Sequence, residues 1–361
     1  MLAFQIHTSP ITRNTLYKAG SIYSPRITRT LATTKTAKVT LTHTPPPVGF
    51  DQHNLQPNLP KAKGTGLLYV LPKVEADATF ISEPAFPHPG FDSQEMKAIK
   101  FEHRPAVTIS DYCALGFMRG LRHTFDFCTG YKEPRDKAHQ IAIANSAGRM
   151  TVDKWLARFV VLESIAGIPG AVAGFLRHLH SLRRFRRDKA WVETLLDEAY
   201  NEKMHLLTFL KIAKPSLFTK CLLYVGQGIF CNAFFFTYLI NPKICHRFVG
   251  YLEEEAVSTY SRCISDLELG LCPELAKTEV PQIAKDYWKL SDDATFYDLI
   301  QYVRADEAKH REVNHTFANL KFYGQDRNPF ALTVKGTDKP QPTHSLKNHK
   351  ATGWERGDLI L

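Results

Sequence analysis

The sequence contains no Cys-x-x-Cys pair, and its seven cysteines, at 113, 128, 221, 231, 245, 263 and 272, are odd in number. That excludes a thiolate zinc site and a fully paired disulfide scaffold. The cysteines read instead as buried, reduced packing residues of a reducing compartment. Residues 1–50 contain no Asp or Glu and no sustained apolar run, so a secretory signal is not expected. What is present there, Thr, Ser and the basic Arg13, Lys18, Arg26, Arg29, Lys35 and Lys38, is the composition of a mitochondrial or plastid transit peptide. A merely basic arm has the same composition, and no cleavage site can be read. The chain also lacks internal repeats and any low-complexity tract. Its net charge of +10 is not a nucleic-acid signature: six of those charges lie in residues 1–50, leaving 10 − 6 = +4 for the remainder. No concentrated basic stripe or nucleic-acid-binding motif accompanies it, whereas a diffuse positive excess suits anionic lipid headgroups.

With 361 residues, 44% of them hydrophobic, the chain can bury one sizeable core. Prolines punctuate residues 51–104, which read as an extended N-terminal arm. Residues 105–322 carry long helical patterns, and residues 323–361 return to an Asp, Asn, Pro and Gly-rich C-terminal tail. The fold class is therefore all-α, with helices expected near 108–128, 151–182, 189–212, 216–240, 243–269 and 294–321. The segment 216–240 is long enough to span a bilayer, but Lys220, Gln227, Asn232 and two glycines interrupt it. A buried bundle helix, a spanning helix and a helix lying in one leaflet all remain open. The segment 112–125, whose apolar residues are flanked by Arg119, Arg122 and His123, favours the last, as a second interfacial helix beside it.

Two stretches carry Glu-x-x-His on a helical pattern, Glu202 with His205 and Glu307 with His310. Residues three apart share a helix face, so each pair can offer a carboxylate and an imidazole to one point. His makes up 15 of 361 residues, so about 4% of glutamates would have one three positions on by chance. One match is weak; two, on separate strong helices, fit the ferritin-like template, which also requires one Glu from each of two further helices. Glu163, in the stripe of Leu156, Phe159, Val160 and Ala166, and Glu253, on a face with Val249, Ala256 and Tyr260, supply them. Taken singly, each acid could be an ordinary surface residue. Four together in register, with two imidazoles, form a hard-donor set suited to iron or manganese and wrong for a thiolate-preferring metal.

The segments LESIAGIPGAVAGFLRHLHSLRRFRRD, NEKMHLLTF, RFVGYLEEEAVSTY and RADEAKHREVNHTFANL resemble, in order and register, the signature segments of the alternative oxidases. The tail, from DRNPFAL to GWERGDLIL, resembles the fungal branch. Plant members have a regulatory cysteine ahead of the first helix; no cysteine precedes Cys113 here, so that switch is in doubt.

The resemblance implies a ferritin-like four-helix bundle with a di-iron centre, plus two additional membrane-interfacial helices. It implies a monotopic protein on the matrix face of the mitochondrial inner membrane, oxidising ubiquinol and reducing dioxygen to water without pumping protons. Two iron ions per chain would be held by Glu163, Glu202, His205, Glu253, Glu307 and His310, with Glu202 and Glu307 bridging. Tyr260 matches the family's essential tyrosine. Arg122, Phe125, Arg158, Leu162, Glu255, Ala256 and Thr259 match the quinol pocket. Asn201, Asp306, Tyr238, His246, Tyr287 and Trp288 match positions that orient ligands and relay charge. Partners so implied are ubiquinol, dioxygen, the bilayer surface and a second copy of the chain. A plastid-type quinol oxidase, a di-iron hydroxylase of quinone biosynthesis and a non-catalytic iron-binding helical membrane protein are the competing readings. Quinol-driven, cyanide-insensitive oxygen uptake separates the quinol oxidases from the other two. An insertion late in the chain, absent here, marks the plastid type.

Overall fold

The helix starts are written in the local sequence. Thr108 accepts from the Asp111 backbone N–H and closes a capping box with it; Thr295 and Asp298 do the same, and Thr151 and Ser216 each accept an N–H of the first turn that would otherwise be unpaired. Asn241 caps a helix that starts on Pro242, where proline's missing N–H costs nothing. The computed structural model describes residues 84–322, 326–332 and 334–361. In chain order its helices are α1 (Ser93–Lys97), α2 (Ile109–Thr129), α3 (Lys137–Ala144), α4 (Val152–Arg184), α5 (Trp191–Ala213), α6 (Leu217–Ile240), α7 (Pro242–Glu268), α8 (Pro273–Ala276), α9 (Gln282–Trp288) and α10 (Phe296–Asn319). All six long helices expected from periodicity are present. The four short ones were not anticipated: too brief to show a period, they are held by tertiary packing. The expected transit peptide and arm residues 51–83 lie outside the described residues.

Helix α4 packs along α5, and α7 along α10, giving an all-helical bundle of the di-iron ferritin-like type. Two apolar clusters fill it. One contains Phe159, Met204, Tyr260 and Val303; the other contains Ala173, Leu195, Val249 and Phe317. On each of the four helices a glutamate sits in sequence between its contributions to the two clusters, so the acids form a polar layer sandwiched between them. Helices α2, on α7, and α6, on α4 and α7, lie outside this core.

Helix α6 is not a buried bundle helix. Only Phe234 and Tyr238 are buried along it, while Phe218, Leu222, Val225, Ile229 and Ile240 stand out from the protein. On α2, Ile109, Tyr112, Phe117 and Phe127 are likewise exposed. The cysteine expectation therefore needs correcting. Cys245, Cys263 and Cys272 are buried, but Cys113 and Cys128 on α2 are exposed and Cys221 and Cys231 on α6 are half-exposed; none of the seven forms a disulfide. Cysteine's apolar character suits both a core and an outward apolar face, and composition does not distinguish them.

The segments flanking the bundle are less regular but closely attached. Arg104 reaches Glu355 and the Thr352 carbonyl, Trp354 donates to Glu312, and Trp191 donates to the Asp326 carbonyl. They cover α10, along which Arg304, Glu307, Lys309, Arg311 and Glu312 are all buried.

Pro169, six residues after Glu163, interrupts the hydrogen-bond ladder of α4. Nearby, Gln227 of α6 donates to the Ser164 carbonyl at 2.7 Å, which gives a reason for one of the polar residues in that apolar helix. One residue on, Gly170 lets α4 approach α5: a Cβ there would lie 2.5 Å from the Leu195 carbonyl oxygen. Gly170→Ala is expected to destabilise the fold by about 1–3 kcal/mol through overpacking, read as a lower thermal midpoint, and an unchanged midpoint would contradict the close-approach argument.

Candidate metal centre

The six residues expected as ligands come together. Glu163 comes from α4, Glu202 and His205 from α5, Glu253 from α7, and Glu307 and His310 from α10. Ligand-capable atoms of Glu163, Glu202, His205 and Glu307 lie within 4.8 Å of one another, and so do those of Glu202, Glu253, Glu307 and His310. Glu202 and Glu307 belong to both groups. The four carboxylates are at most 1% exposed.

Internal hydrogen bonding does not satisfy this layer. Both carboxylate oxygens of Glu202, Glu253 and Glu307 lack a hydrogen-bond partner, as does His310 Nδ1. His310 Nδ1 stands only 2.6 Å from Glu202 Oε1, yet the two do not meet in hydrogen-bond geometry. Such atoms converge on shared space between them. Buried and unpaired, they would be costly unless cations lay there. The electrostatics carry the same tension. Burial, then the charges of Glu307 and Glu202, push the Glu163 and Glu253 carboxyls far above the usual range. Burial opposes ionisation of Glu202 too, but His310 and His205 outweigh it and hold that group low. A site with four hard carboxylates, two imidazoles and unsatisfied inward lone pairs can hold a metal ion.

Around it, Asp306 is the organising acid. It accepts from Trp288 Nε1 at 2.8 Å and meets His205 Nε2 at 3.1 Å and His88 at 2.8 Å. With Nε2–H donated to Asp306, the Nδ1 lone pair of His205 faces Glu163, Glu202 and Glu307, at 3.2, 3.6 and 3.2 Å. Asn201 donates to the Tyr287 hydroxyl at 3.1 Å. Tyr260, fully buried, donates its hydroxyl to Glu163; burial, then that carboxylate, raise its phenol well above the ordinary value.

Tyr238 and His246 stand farther off. Tyr238 bonds His246 (3.1 Å), His246 bonds Asn314 (2.9 Å), and the Asn314 amide donates to both oxygens of Glu198. Glu198, one turn before Glu202, is pushed up to about 7 by burial. It and Asn314 were missed, although each lies four residues from an expected ligand on the same helix face. His88 carried no signal at all, since it lies 218 residues from Asp306.

Of the expected quinol residues, Arg122, Phe125, Arg158, Glu255 and Thr259 come together where α2 meets α4 and α7. Arg122 meets Glu255 at 3.0 Å, Thr259 at 3.2 Å and Asp126 at 2.8 Å. Arg158, 2% exposed, meets Asp126 at 2.7 Å and lies over the rings of Phe125 and Tyr131 at 4.5 and 4.0 Å. Ala256 is buried, and Leu162 packs against both apolar clusters. Asp126, which joins the two guanidiniums, was missed, though its i, i+4 spacing from Arg122 was a usable signal. Asp126→Ala leaves Arg158 buried without its carboxylate and is expected to cost about 3 kcal/mol, the low end for breaking a buried pair because Asp126 is partly exposed. Thermal unfolding of the variant tests it, and a loss near zero would remove Asp126 from that role.

The family model described as "Alternative oxidase" matches residues 91–319, from within the covering arm to the end of α10. "Alternative oxidase, mitochondrial" of Scheffersomyces stipitis is 54% identical over 79% of this chain and 80% of its own length. "Alternative oxidase 2, mitochondrial" of Candida albicans is 47% identical over 95% of this chain and 96% of its own length. "Alternative oxidase, mitochondrial" of Yarrowia lipolytica is 54% identical over 78% of each. Together with the all-helical bundle and its buried Glu/His layer, these matches mean that the chain belongs to the alternative oxidase family.

Proposed function

We propose that this protein is a non-proton-pumping ubiquinol oxidase that holds two irons and passes the electrons of two quinols to one dioxygen, yielding two waters. The observation that carries the reading is the pair of overlapping ligand groups sharing Glu202 and Glu307, within a chain of this family. Glu163, Glu202, His205 and Glu307 would hold one iron and Glu202, Glu253, Glu307 and His310 the other, Glu202 and Glu307 belonging to both sets. When bound, the irons supply the redox chemistry, and hard carboxylates suit them by helping to neutralise ferric charge.

The remaining steps fall to the chain's own side chains. Arg122, Thr259 and Glu255 form a cluster of donors and acceptors suited to a quinol hydroxyl, and Phe125 and Leu162 offer apolar surface to its ring. Glu255, its carboxyl raised by burial, is suited to accept the proton a quinol releases on oxidation. Arg158, held by Asp126, positions Arg122 through their common partner. Tyr260, hydrogen-bonded to Glu163, is suited to lend an electron and a proton during O–O cleavage. Asp306 fixes the ring of His205, with Trp288 and His88 as its supports, while Asn201 and Tyr287 brace the α5–α9 contact.

Location follows the same reading. Residues 1–50 would direct the chain to the mitochondrion, where it would sit on the matrix face of the inner membrane. Its support is the apolar exposure of α2 and α6, interrupted by polar residues, which suits helices lying in one leaflet. Helices α4 and α6 are each long and apolar enough to cross a bilayer, but half of the most apolar stretch of α4 is buried in the bundle. A second copy of the chain is a further proposed partner.

Purified protein is expected to contain about two irons per chain, and Glu202→Ala or Glu307→Ala should lose iron and oxygen uptake together. Active protein without iron, or normal uptake in either variant, would overturn the assignment. Ubiquinol-dependent, cyanide-insensitive oxygen uptake is the direct test of the activity; hydroxylated product instead of water would favour the hydroxylase reading.

Tyr260→Phe keeps the ring and its packing and removes only the hydroxyl. With full iron retained, turnover should fall by at least about 100-fold if the hydroxyl carries a proton in the reaction. A purely packing tyrosine would instead cost about 0.5–1.5 kcal/mol of stability and leave catalysis nearly intact. Oxygen uptake and thermal midpoint measured on one preparation separate the two.

Protease and labelling experiments on intact mitochondria and on inverted vesicles should find every accessible site on the matrix side. A site reached from the intermembrane space would make α4 or α6 a spanning helix.

A further inference from the structure

The six expected ligands are not equally enclosed. Glu163, Glu202, His205, Glu253 and Glu307 are at most 1% exposed, whereas His310 is 7% exposed. His310 borders a cleft of about 60 Å³ between α5 and α10, whose walls are completed by His88 of the covering arm and His344 of the C-terminal tail. Liquid water takes up about 30 Å³ per molecule, so the cleft has room for about two waters, or for an ion that has shed most of its hydration shell.

Metal-binding side chains follow one another along this cleft from the surface inward. His344 is exposed, Asp197 is half-buried, and Glu198 is 5% exposed; all three line the cleft together with His310. Burial raises the Asp197 carboxyl, while His310 and then His344 pull it the other way. Asp197 therefore lies within electrostatic reach of both the inner ligand and the outer imidazole. Asn314 ties the inner pair together, donating to Glu198 and to the His310 carbonyl. The one lysine on the lining, Lys309, has its charge offset by Glu312 at 2.7 Å. The passage is thus lined by carboxylates and imidazoles, with its positive charge compensated.

Such a lining gives no advantage to dioxygen, which is apolar, or to a hydrocarbon chain. It suits a cation that takes oxygen and imidazole nitrogen donors, as ferrous iron does. A cleft with low-dielectric walls and a negative lining also concentrates cations and speeds their passage. We propose that this cleft is the port through which ferrous iron reaches and leaves the centre, passing from His344 and Asp197 to Glu198 and on to His310. This rests on the two-iron reading above. Each transfer exchanges one ligand for another and leaves the oxidation state of the ion unchanged. The port lies between α5 and α10, whereas the quinol residues stand where α2 meets α4 and α7, so metal and substrate have separate approaches.

Iron release from the full-length, iron-loaded protein tests the port without any need for turnover. The protein, with its iron content measured first, would be reduced anaerobically and mixed with the ferrous chelator ferrozine, and release followed by absorbance. Asp197→Lys places a positive charge in the throat and raises the barrier in both directions, so release should slow roughly tenfold. His344→Ala, at an exposed tail position, should slow it severalfold and carries the test should Asp197→Lys fail to fold. Glu279→Lys makes the same change of net charge at an exposed position outside the cleft and should leave the rate unchanged. Slowing is the diagnostic result, because a variant that merely loosens the fold releases its iron faster. Unchanged or faster release in fully loaded Asp197→Lys and His344→Ala, or equal slowing in Glu279→Lys, would overturn the port alone. Protein that carries no iron at all would overturn the two-iron reading as well.

Discussion

Four glutamates buried in one layer of a helical bundle impose the constraint on which the rest of the structure depends. Glu163, Glu202, Glu253 and Glu307 are almost completely withdrawn from water, and the oxygens of Glu202, Glu253 and Glu307 find no hydrogen-bond donors. Withdrawing even one ionised carboxylate into an apolar interior is costly enough to unfold a marginal domain. The fold tolerates the layer by confining it between two large apolar clusters and by giving it two imidazoles. Those unpaired buried oxygens then become a demand for cations. Stability and metal loading are on this view one property, since what binds the folded site and not the unfolded chain stabilises the fold.

The same logic runs outward through the second ring of contacts. His205 can offer Nδ1 inward only because Nε2 is engaged by Asp306, and Asp306 remains ionised in the core only because His88, His205 and Trp288 surround it. His88 comes from the covering arm, so that segment contributes to the centre's electrostatics as well as to its shielding. The tail acts similarly on the far side of α10, where Glu312 receives Trp354 Nε1 and the Lys350 N–H. Helix α10 is rich in charge yet enclosed on all sides, a combination that an amphipathic surface helix would not show.

A second balance of charge governs the edge where α2 meets the bundle. Arg158 is buried and Arg122 nearly so, and the two guanidiniums share Asp126 while two rings cover Arg158. Arginine suits this site because its planar fork meets carboxylates and stacks on aromatics at once.

Local pattern determined a great deal by itself. The six long helices, the two Glu-x-x-His pairs, and Glu163 and Glu253 set in apolar stripes were all legible, because helical periodicity and i, i+3 spacing are properties of the chain within a few residues. The tertiary structure alone decided which groups complete the site. His88 reaches Asp306 across 218 residues, Trp354 reaches Glu312 across 42, and Glu254 is shared by His103 and Arg104 of the covering arm and His315 of α10. It also decided that α6 lies on the outside and that four of the seven cysteines sit on outward-facing helices, which composition could not settle, since a buried helix and a lipid-facing helix are written in the same apolar residues. Periodicity records which face of a helix is apolar; what covers that face depends on where the chain's distant segments return, and no local spacing encodes that.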